Sequence, residues 1–230
     1  LDEGTPGEYL TDRLTTEAIG FMKEHKEQPF FLYLAHHAVH TPLRAPQQLI
    51  DKYEKKAKGK YHTNPVYAAM IESLDQNVGR VCRAVDSLGI ADNTIIVFYS
   101  DNGGSEPVTD NFPLREGKGS PYEGGTRVPL IIKWPGKVKP GVTSDVPVSG
   151  VDFYPTFVKI AGGKPSSDLD GKDIFTLLRK RMIYSGIFPL IWSLTKKVAK
   201  TGVLPHIPVY VRVSGNSYII MKMKQWNCII

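Results

Sequence analysis

Apolar residues along the first 178 positions follow two rhythms. From Thr11 to His25 they recur at helical spacing, with Leu14, Ala18, Ile19 and Met22 on one predicted face. From Pro65, a residue suited to opening a helix, Met70, Leu74, Val78, Val81, Val85 and Leu88 recur three and four apart up to Gly89, which predicts an amphipathic helix of several turns. Between and after these lie unbroken apolar runs of strand length, Phe30–Ala35 and Thr94–Tyr99, which suit strands buried on both faces. A third strand is expected over Val128–Trp134, stopped by Pro135-Gly136. A helix is expected over Val151–Ala161, and a loop with a short helix over Asp168–Leu178. Strand, helix, strand at this spacing predicts a βαβ unit with parallel strands, hence an α/β fold.

In open α/β sheets, chemistry gathers beyond the carboxyl ends of the strands. His36-His37-Ala38-Val39-His40-Thr41-Pro42 follows the first predicted strand, and Ser100-Asp101-Asn102-Gly103-Gly104 follows the second. A crossover between them lets His40 and the Asp101-Asn102 pair face one crevice. Asp101 and Asn102 offer adjacent oxygen donors of the kind a hard cation takes, although Asp-Asn-Gly is also ordinary turn chemistry. His36, His37 and His40 lack the carboxylates or cysteines of a zinc site, so His40 fits better as a hydrogen-bond donor to an anionic substrate or its leaving group. Lys118, between Gly117 and Gly119, offers a cation on a loop that other backbones approach closely. It is not a P-loop lysine, because the GxxxxGK[ST] order is absent. The set of oxygen ligands, a histidine and a lysine suits hydrolysis of a sulfate or phosphate ester.

Composition adds a boundary. The chain has 230 residues, 41% hydrophobic and 23% charged, an ordinary globular balance that excludes collagen-like and wholly disordered chains. Its net charge of +6 is uneven. Residues 179–230 hold nine of the 29 Lys/Arg and no Asp or Glu, so residues 1–178 keep 20 basic against all 23 acidic residues. Two cysteines, Cys82 and Cys228, form no zinc or disulfide pattern, and Cys82 is expected to be a small core residue. No apolar run is long enough to span a bilayer, and the polar start Leu1-Asp2-Glu3-Gly4 shows no signal peptide.

Several segments together resemble the type I sulfatase (arylsulfatase) family. They are Phe30-Phe31-Leu32-Tyr33-Leu34 with His36-His37-Ala38-Val39-His40-Thr41-Pro42, then Tyr99-Ser100-Asp101-Asn102-Gly103, Gly117-Lys118-Gly119, Tyr122-Glu123-Gly124-Gly125-Thr126-Arg127-Val128-Pro129, Val151-Asp152-Phe153-Tyr154-Pro155-Thr156 and Leu169-Asp170-Gly171-Lys172. The likeness runs from about residue 7 to 178 in order and spacing. It implies an alkaline-phosphatase-like fold, with a mixed, mostly parallel sheet flanked by helices, here as an incomplete domain. It also implies sulfuric ester hydrolysis with bound calcium (Ca2+). By that resemblance Asp101 and Asn102 are metal ligands, His40 and Lys118 contact the sulfate, and His40 assists the leaving oxygen. The substrate is then a sulfate ester, aryl or sugar, with no nucleic acid partner, and the compartment is secreted, periplasmic or lysosomal.

The chain departs from that family at identifiable places. Neither cysteine opens the Cys-x-Pro-Ser-Arg motif that yields the formylglycine nucleophile, and the paired aspartates that complete the metal site are absent. Residues 1–178 are therefore expected to be the later part of a catalytic domain that is inactive alone. Phosphodiester or phosphonate hydrolysis within the same superfamily, and non-catalytic binding of sulfated glycans, are the alternatives. Residues 179–230 are expected to be a divergent basic tail. From about residue 185 they read as an out-of-frame translation. Ser185-Gly186-Ile187-Phe188-Pro189 shifts to Trp-His-Phe-Pro, and Met221–Ile230 shifts to a stretch ending Glu-Leu-Tyr-Asn, both of which the family carries there.

Overall fold

The computed structural model describes residues 4–5, 7–179 and 227–229. Its centre is a four-stranded sheet in the order β1-β4-β2-β3. These strands are β1 (Phe31–Leu32), β2 (Thr94–Tyr99), β3 (Leu130–Lys133) and β4 (Asn227–Ile229). β4 pairs parallel with both β1 and β2, while β3 runs antiparallel to β2 with Tyr99 opposite Leu130. The strands β1 and β2 therefore point the same way, as the βαβ reading requires. They are not neighbours: a third strand separates them, about 10 Å apart at ordinary strand spacing. The first apolar run is also shorter as a strand than expected, because ladder bonds form only at Phe31 and Leu32.

Helices α1 (Leu10–His25) and α3 (Pro65–Ser87) pack together on one face of the sheet. Pro65 is the first helical residue of α3, and the Asn64 side chain accepts a hydrogen bond from the Tyr67 N–H at 3.0 Å. Such a cap stabilises a helix by about 1 kcal/mol. Ala18 and Met22 of α1 meet Phe30, Leu32, Val81, Val85 and Ile90 in the core of that layer. The expected Ala18 and Met22 are buried and Ile19 packs against the same core, while Leu14 is half-buried and the fully buried stripe extends instead to Thr11 and Thr15. Thr15 tolerates burial because its hydroxyl donates to the Thr11 carbonyl at 3.0 Å. A polar clamp joins the two helices: Asn77 Nδ2 donates to Asp12 at 2.7 Å, and Arg80 donates to Asn77 Oδ1 and Thr16 Oγ1, both at 2.8 Å.

The opposite face of the sheet packs Ile95 and Val97 against Trp134, Phe153, Phe157 and Ile174. Phe153 and Phe157 come from α5 (Phe153–Ile160), and Ile174 immediately precedes α6 (Phe175–Arg179). Asp152 ties this layer together. Its carboxylate accepts the Ser149 N–H at 2.8 Å and the Lys172 N–H at 2.7 Å, and its carbonyl accepts the Thr156 hydroxyl at 2.6 Å. The Val151–Thr156 and Leu169–Lys172 motifs are thus one structural lock between α5 and the loop before α6.

After Pro46 the chain folds as α2 (Gln47–Glu54), with no buried residue, and packs on α3, where Lys52 bonds Glu72 at 2.6 Å. One further expectation changes. Cys82 is only half-buried. It lines an open apolar cavity of about 340 Å³ with Leu74, Val78, Phe98 and Ile131, because the second apolar stripe of α3 faces the β2–β3 edge rather than a closed core. The basic-tail and frameshift expectations concern residues that, apart from β4, lie outside the described ones.

Candidate active site

The strand β2 ends at Tyr99, and the chain then turns through Ser100–Gly104. Asp101 is exposed and Asn102 half-buried. Ser100 Oγ donates to the Asn102 carbonyl at 3.0 Å, and Asn102 Nδ2 donates to the Gly103 carbonyl at 3.0 Å. The amide of Asn102 is thereby oriented with its Oδ1 left as an acceptor. Burial raises the pKa of the Tyr99 phenol above its ordinary value of 10.0, a hydrogen bond from the Gly150 backbone opposes this, and the charges of Asp152 and Asp101 add to it.

Lys118 is brought to this turn by backbone bonds. Its N–H donates to the Gly104 carbonyl at 2.9 Å, Gly103 N–H donates to the Gly125 carbonyl at 3.0 Å, and Gly124 N–H donates to the Arg115 carbonyl at 2.9 Å. Gly124 and Gly125 belong to the short helix α4 (Glu123–Thr126). Three separate stretches, 100–104, 115–119 and 123–126, are thus knitted at backbone contact. Any side chain at Gly117 would meet the Gly104 carbonyl and the Asn111 amide. Beside it, Glu116 holds the left-handed conformation with φ 56°. Such a residue costs on the order of 1 kcal/mol and is characteristic of functional loops. The exposed ammonium of Lys118 and the two oxygen donors of Asp101 and Asn102 consequently share one loop cluster.

Asn111 belongs to this cluster and carries no family-like motif. Its Oδ1 accepts the Gly104 N–H and its Nδ2 donates to the Gly104 carbonyl, each at 3.0 Å. A single asparagine thus fixes the peptide to which Lys118 is bonded. The only signal for it in the sequence is turn composition around Asp110-Asn111-Phe112-Pro113.

His40 lies past β1, and its bonds run within its own loop. Its N–H donates to the His37 carbonyl at 3.0 Å, and its Nδ1 is 2.9 Å from the Thr41 carbonyl. A carbonyl only accepts, so in that contact Nδ1 is the donor, and the Thr41 hydroxyl lies 3.3 Å from the same nitrogen. Parallel β1 and β2 place His40 and the Asp101 turn past the same edge of the sheet, and no bond joins the two loops among the described residues. The ring of His37 lies 5.3 Å from that of His40.

His36 has a different character from its neighbours. Neither ring nitrogen has a hydrogen-bond partner among the described residues, and burial pulls its pKa below the ordinary 6.5. The folded state therefore favours neutral His36, while the unfolded chain binds a proton near pH 6.5. Between the lowered pKa and about 6.5 the unfolded state holds more protons, so stability falls as pH drops through that window and the contribution is intact above it. Urea denaturation of the native chain should show a falling midpoint from about pH 7 to 5.5, and His36→Leu should flatten that slope. An unchanged slope in the variant would show that His36 stays accessible to protons in the fold.

Calcium takes about six to eight oxygens. Asp101 and Asn102 supply two side chains, and no group of three or more His, Cys, Asp or Glu that could hold a metal gathers among the described residues. These residues do not by themselves fit a calcium ion. Cys82, within α3 and lining the apolar cavity, is not placed as a nucleophile.

An exposed lysine, an oriented amide and a carboxylate thus lie on glycine-knit loops beyond a strand end of an alkaline-phosphatase-like α/β sheet. The sulfatase family model matches residues 2–163, and the chain belongs to the sulfatase family. A sulfatase of Formosa agariphila is 45% identical over 196 residues, covering 78% of this chain and 35% of that protein. The N-acetylgalactosamine-6-sulfatase of Mus musculus is 36% identical over 189 residues, covering 78% of this chain and 35% of that protein. The crystal structure of Ps i-CgsB in complex with k-i-k-neocarrahexaose superposes with a TM-score of 0.69 at 41% identity, over 76% of this chain and 39% of that one. The chain thus spans about a third of the length of the curated relatives it matches. Among the described residues, no helix is long and apolar enough to cross a membrane.

Proposed function

We propose that residues 1–178 supply the later half of the active centre of a sulfuric ester hydrolase. The observation that carries this is the Gly104 peptide, which holds Lys118 beside the Asp101-Asn102 turn. Lys118 binds the sulfate oxygens and stabilises the charge that grows on them as the ester S–O bond breaks. His40 hydrogen-bonds the same group and passes the Nε2 proton of its charged form to the departing oxygen. Asp101 and Asn102 contribute two oxygens to a calcium site, and the other donors and the formylglycine nucleophile belong to lengths that the relatives have and this chain does not span. The chain alone therefore does not turn over sulfate esters. Relatives named for steryl and N-acetylgalactosamine-6 sulfates, and one bound to neocarrahexaose, set the range of substrates. The compartment we assign is secreted, periplasmic or lysosomal.

A graft tests this reading. Residues 7–178 of this chain replace the matching stretch of the Formosa agariphila sulfatase, and hydrolysis of 4-nitrocatechol sulfate and bis(4-nitrophenyl) phosphate is measured. Sulfate release by the graft, with none by the isolated chain, is the expected result. A folded graft that cleaves only the phosphodiester would move the assignment to phosphodiester hydrolysis, and one that cleaves neither would overturn the site.

A further inference from the structure

Outside the sulfate-contacting residues, the same loop cluster displays an aromatic surface that the hydrolysis does not use. The Tyr61 and Phe112 rings stack with centroids 4.6 Å apart and planes 10° from parallel. Phe112 is 61% exposed, so the stack is not core packing. Nor is it a loosely held tip. Phe112 N–H donates to Asp110 Oδ1 at 2.6 Å, His62 Nδ1 meets Thr109 Oγ1 at 3.2 Å, and the adjacent Asn111 is doubly bonded to Gly104. Through Gly104 the platform is fixed to the backbone of Lys118. Cations accompany the rings: Lys60 Nζ lies 5.0 Å from the centre of Tyr61, and three residues beyond Phe112 the Arg115 guanidinium lies 3.7 Å above exposed Tyr122.

An anchored aromatic pair with its Phe112 ring open to solvent, the Lys60 ammonium over its Tyr61 ring and its backbone tied to Lys118, calls for a ligand with an apolar face and more than one negative group. We propose that Tyr61 and Phe112 form a stacking platform for a sugar ring of a sulfated oligosaccharide, with Lys60 and Arg115 contacting sulfates other than the one at Lys118. The pyranose ring presents its C–H face to an aromatic plane, here the exposed Phe112, and carries its charged groups at its rim, where the Lys60 ammonium over Tyr61 can meet them. An aryl or steryl monosulfate has a single anion, which Lys118 takes, whereas further sulfates of an oligosaccharide can reach the exposed Lys60 and the Arg115 guanidinium, which itself lies over Tyr122 and 3.9 Å from Glu116. Tyr61 and Phe112 are therefore specificity-determining residues. This assignment rests on the sulfate-ester reading of Lys118.

Calorimetric titration of the full 230-residue chain tests it, with hexasaccharides of chondroitin sulfate, heparin and carrageenan, 4-nitrocatechol sulfate and a single-stranded DNA 12-mer as probes. The native chain should bind at least one hexasaccharide. The double variant Tyr61→Ala/Phe112→Ala, unchanged in net charge, should lose about tenfold in that affinity while binding 4-nitrocatechol sulfate within about twofold of native. Phe112→Trp, which keeps the ring surface, should restore the loss and guards against a folding defect, as does an unchanged melting temperature. Undiminished hexasaccharide binding by the double variant, or no hexasaccharide binding by the native chain, overturns the platform. DNA binding that is tighter than hexasaccharide binding and lost in the same variant overturns it in favour of a nucleic acid. Lys118→Ala separates the two claims: if it leaves 4-nitrocatechol sulfate binding intact, the sulfate reading fails, whatever the aromatic variants do.

Discussion

Lys118→Ala in the catalytically complete graft is expected to lower kcat/KM for 4-nitrocatechol sulfate by on the order of a hundredfold or more, with almost no change in melting temperature. The size follows from what the residue does. A fixed cation at the position where charge accumulates needs no reorganisation when the ester breaks, and its loss leaves that charge to solvent. The separation from stability follows from the structure. Lys118 is exposed, makes no ion pair among the described residues, and is held through its backbone N–H, which alanine keeps. Surface changes of that kind usually stay within about 0.5 kcal/mol. Lys118→Arg keeps the charge but spreads it over a planar fork, so it should recover only part of the rate. Steady-state kinetics and thermal denaturation on the same preparations decide the matter. A drop in melting temperature that parallels the lost rate would mean that Lys118 supports the loop rather than the sulfate.

The second large effect is on the loop cluster itself. Gly124→Ala should destabilise the protein by about 3 kcal/mol or more and abolish activity of the graft, because the new Cβ falls on the carbonyl oxygens of Glu116 and Arg115. Those atoms are backbone, and they cannot retreat without breaking the Gly124–Arg115 and Gly103–Gly125 bonds that join the three stretches. In a chain of this size such a loss corresponds to a fall of roughly 10 °C in melting temperature. Gly119→Ala is the control. It too lies in this segment, with φ 89°, but nothing stands within 4 Å of its Cβ position. It should cost only the left-handed penalty of about 1 kcal/mol. Equal effects from the two substitutions would show that close backbone approach at Gly124 is not what holds the cluster together.

Much of the candidate site was legible from residue order, and the reasons are local. His40, Asp101 and Asn102 lie just past apolar runs whose length and flanking turns already identify strand ends. Lys118 is marked by the glycines on either side of it. Asn111, Tyr61 and Phe112 were not legible. An asparagine in a turn-rich stretch has many ordinary uses, and the partner that gives this one its role, the Gly104 peptide, is recognised only in space. Tyr61 and Phe112 lie in different loops, and nothing in either neighbourhood foretells that the rings meet. The role of Asp152 was likewise not legible: its carboxylate accepts the backbone N–H groups of Ser149 and Lys172, twenty residues apart from it in the latter case, and closes the fold.

The chain order alone determined the α/β class, the helices over 10–25 and 65–87, the strand over 94–99 and the chemical types of the candidate residues. These rest on periodicity, capping and turn chemistry, which act over a few residues. The tertiary structure decided the rest. It set a strand between β1 and β2, extended the buried stripe of α1 to Thr11 and Thr15, and left the second apolar stripe of α3 facing an open cavity. It also drew 100–104, 115–119 and 123–126 into backbone contact. Each of those outcomes depends on which surfaces meet across long separations. That choice follows from packing and from the pairing of buried polar groups, and no short window of residues contains it.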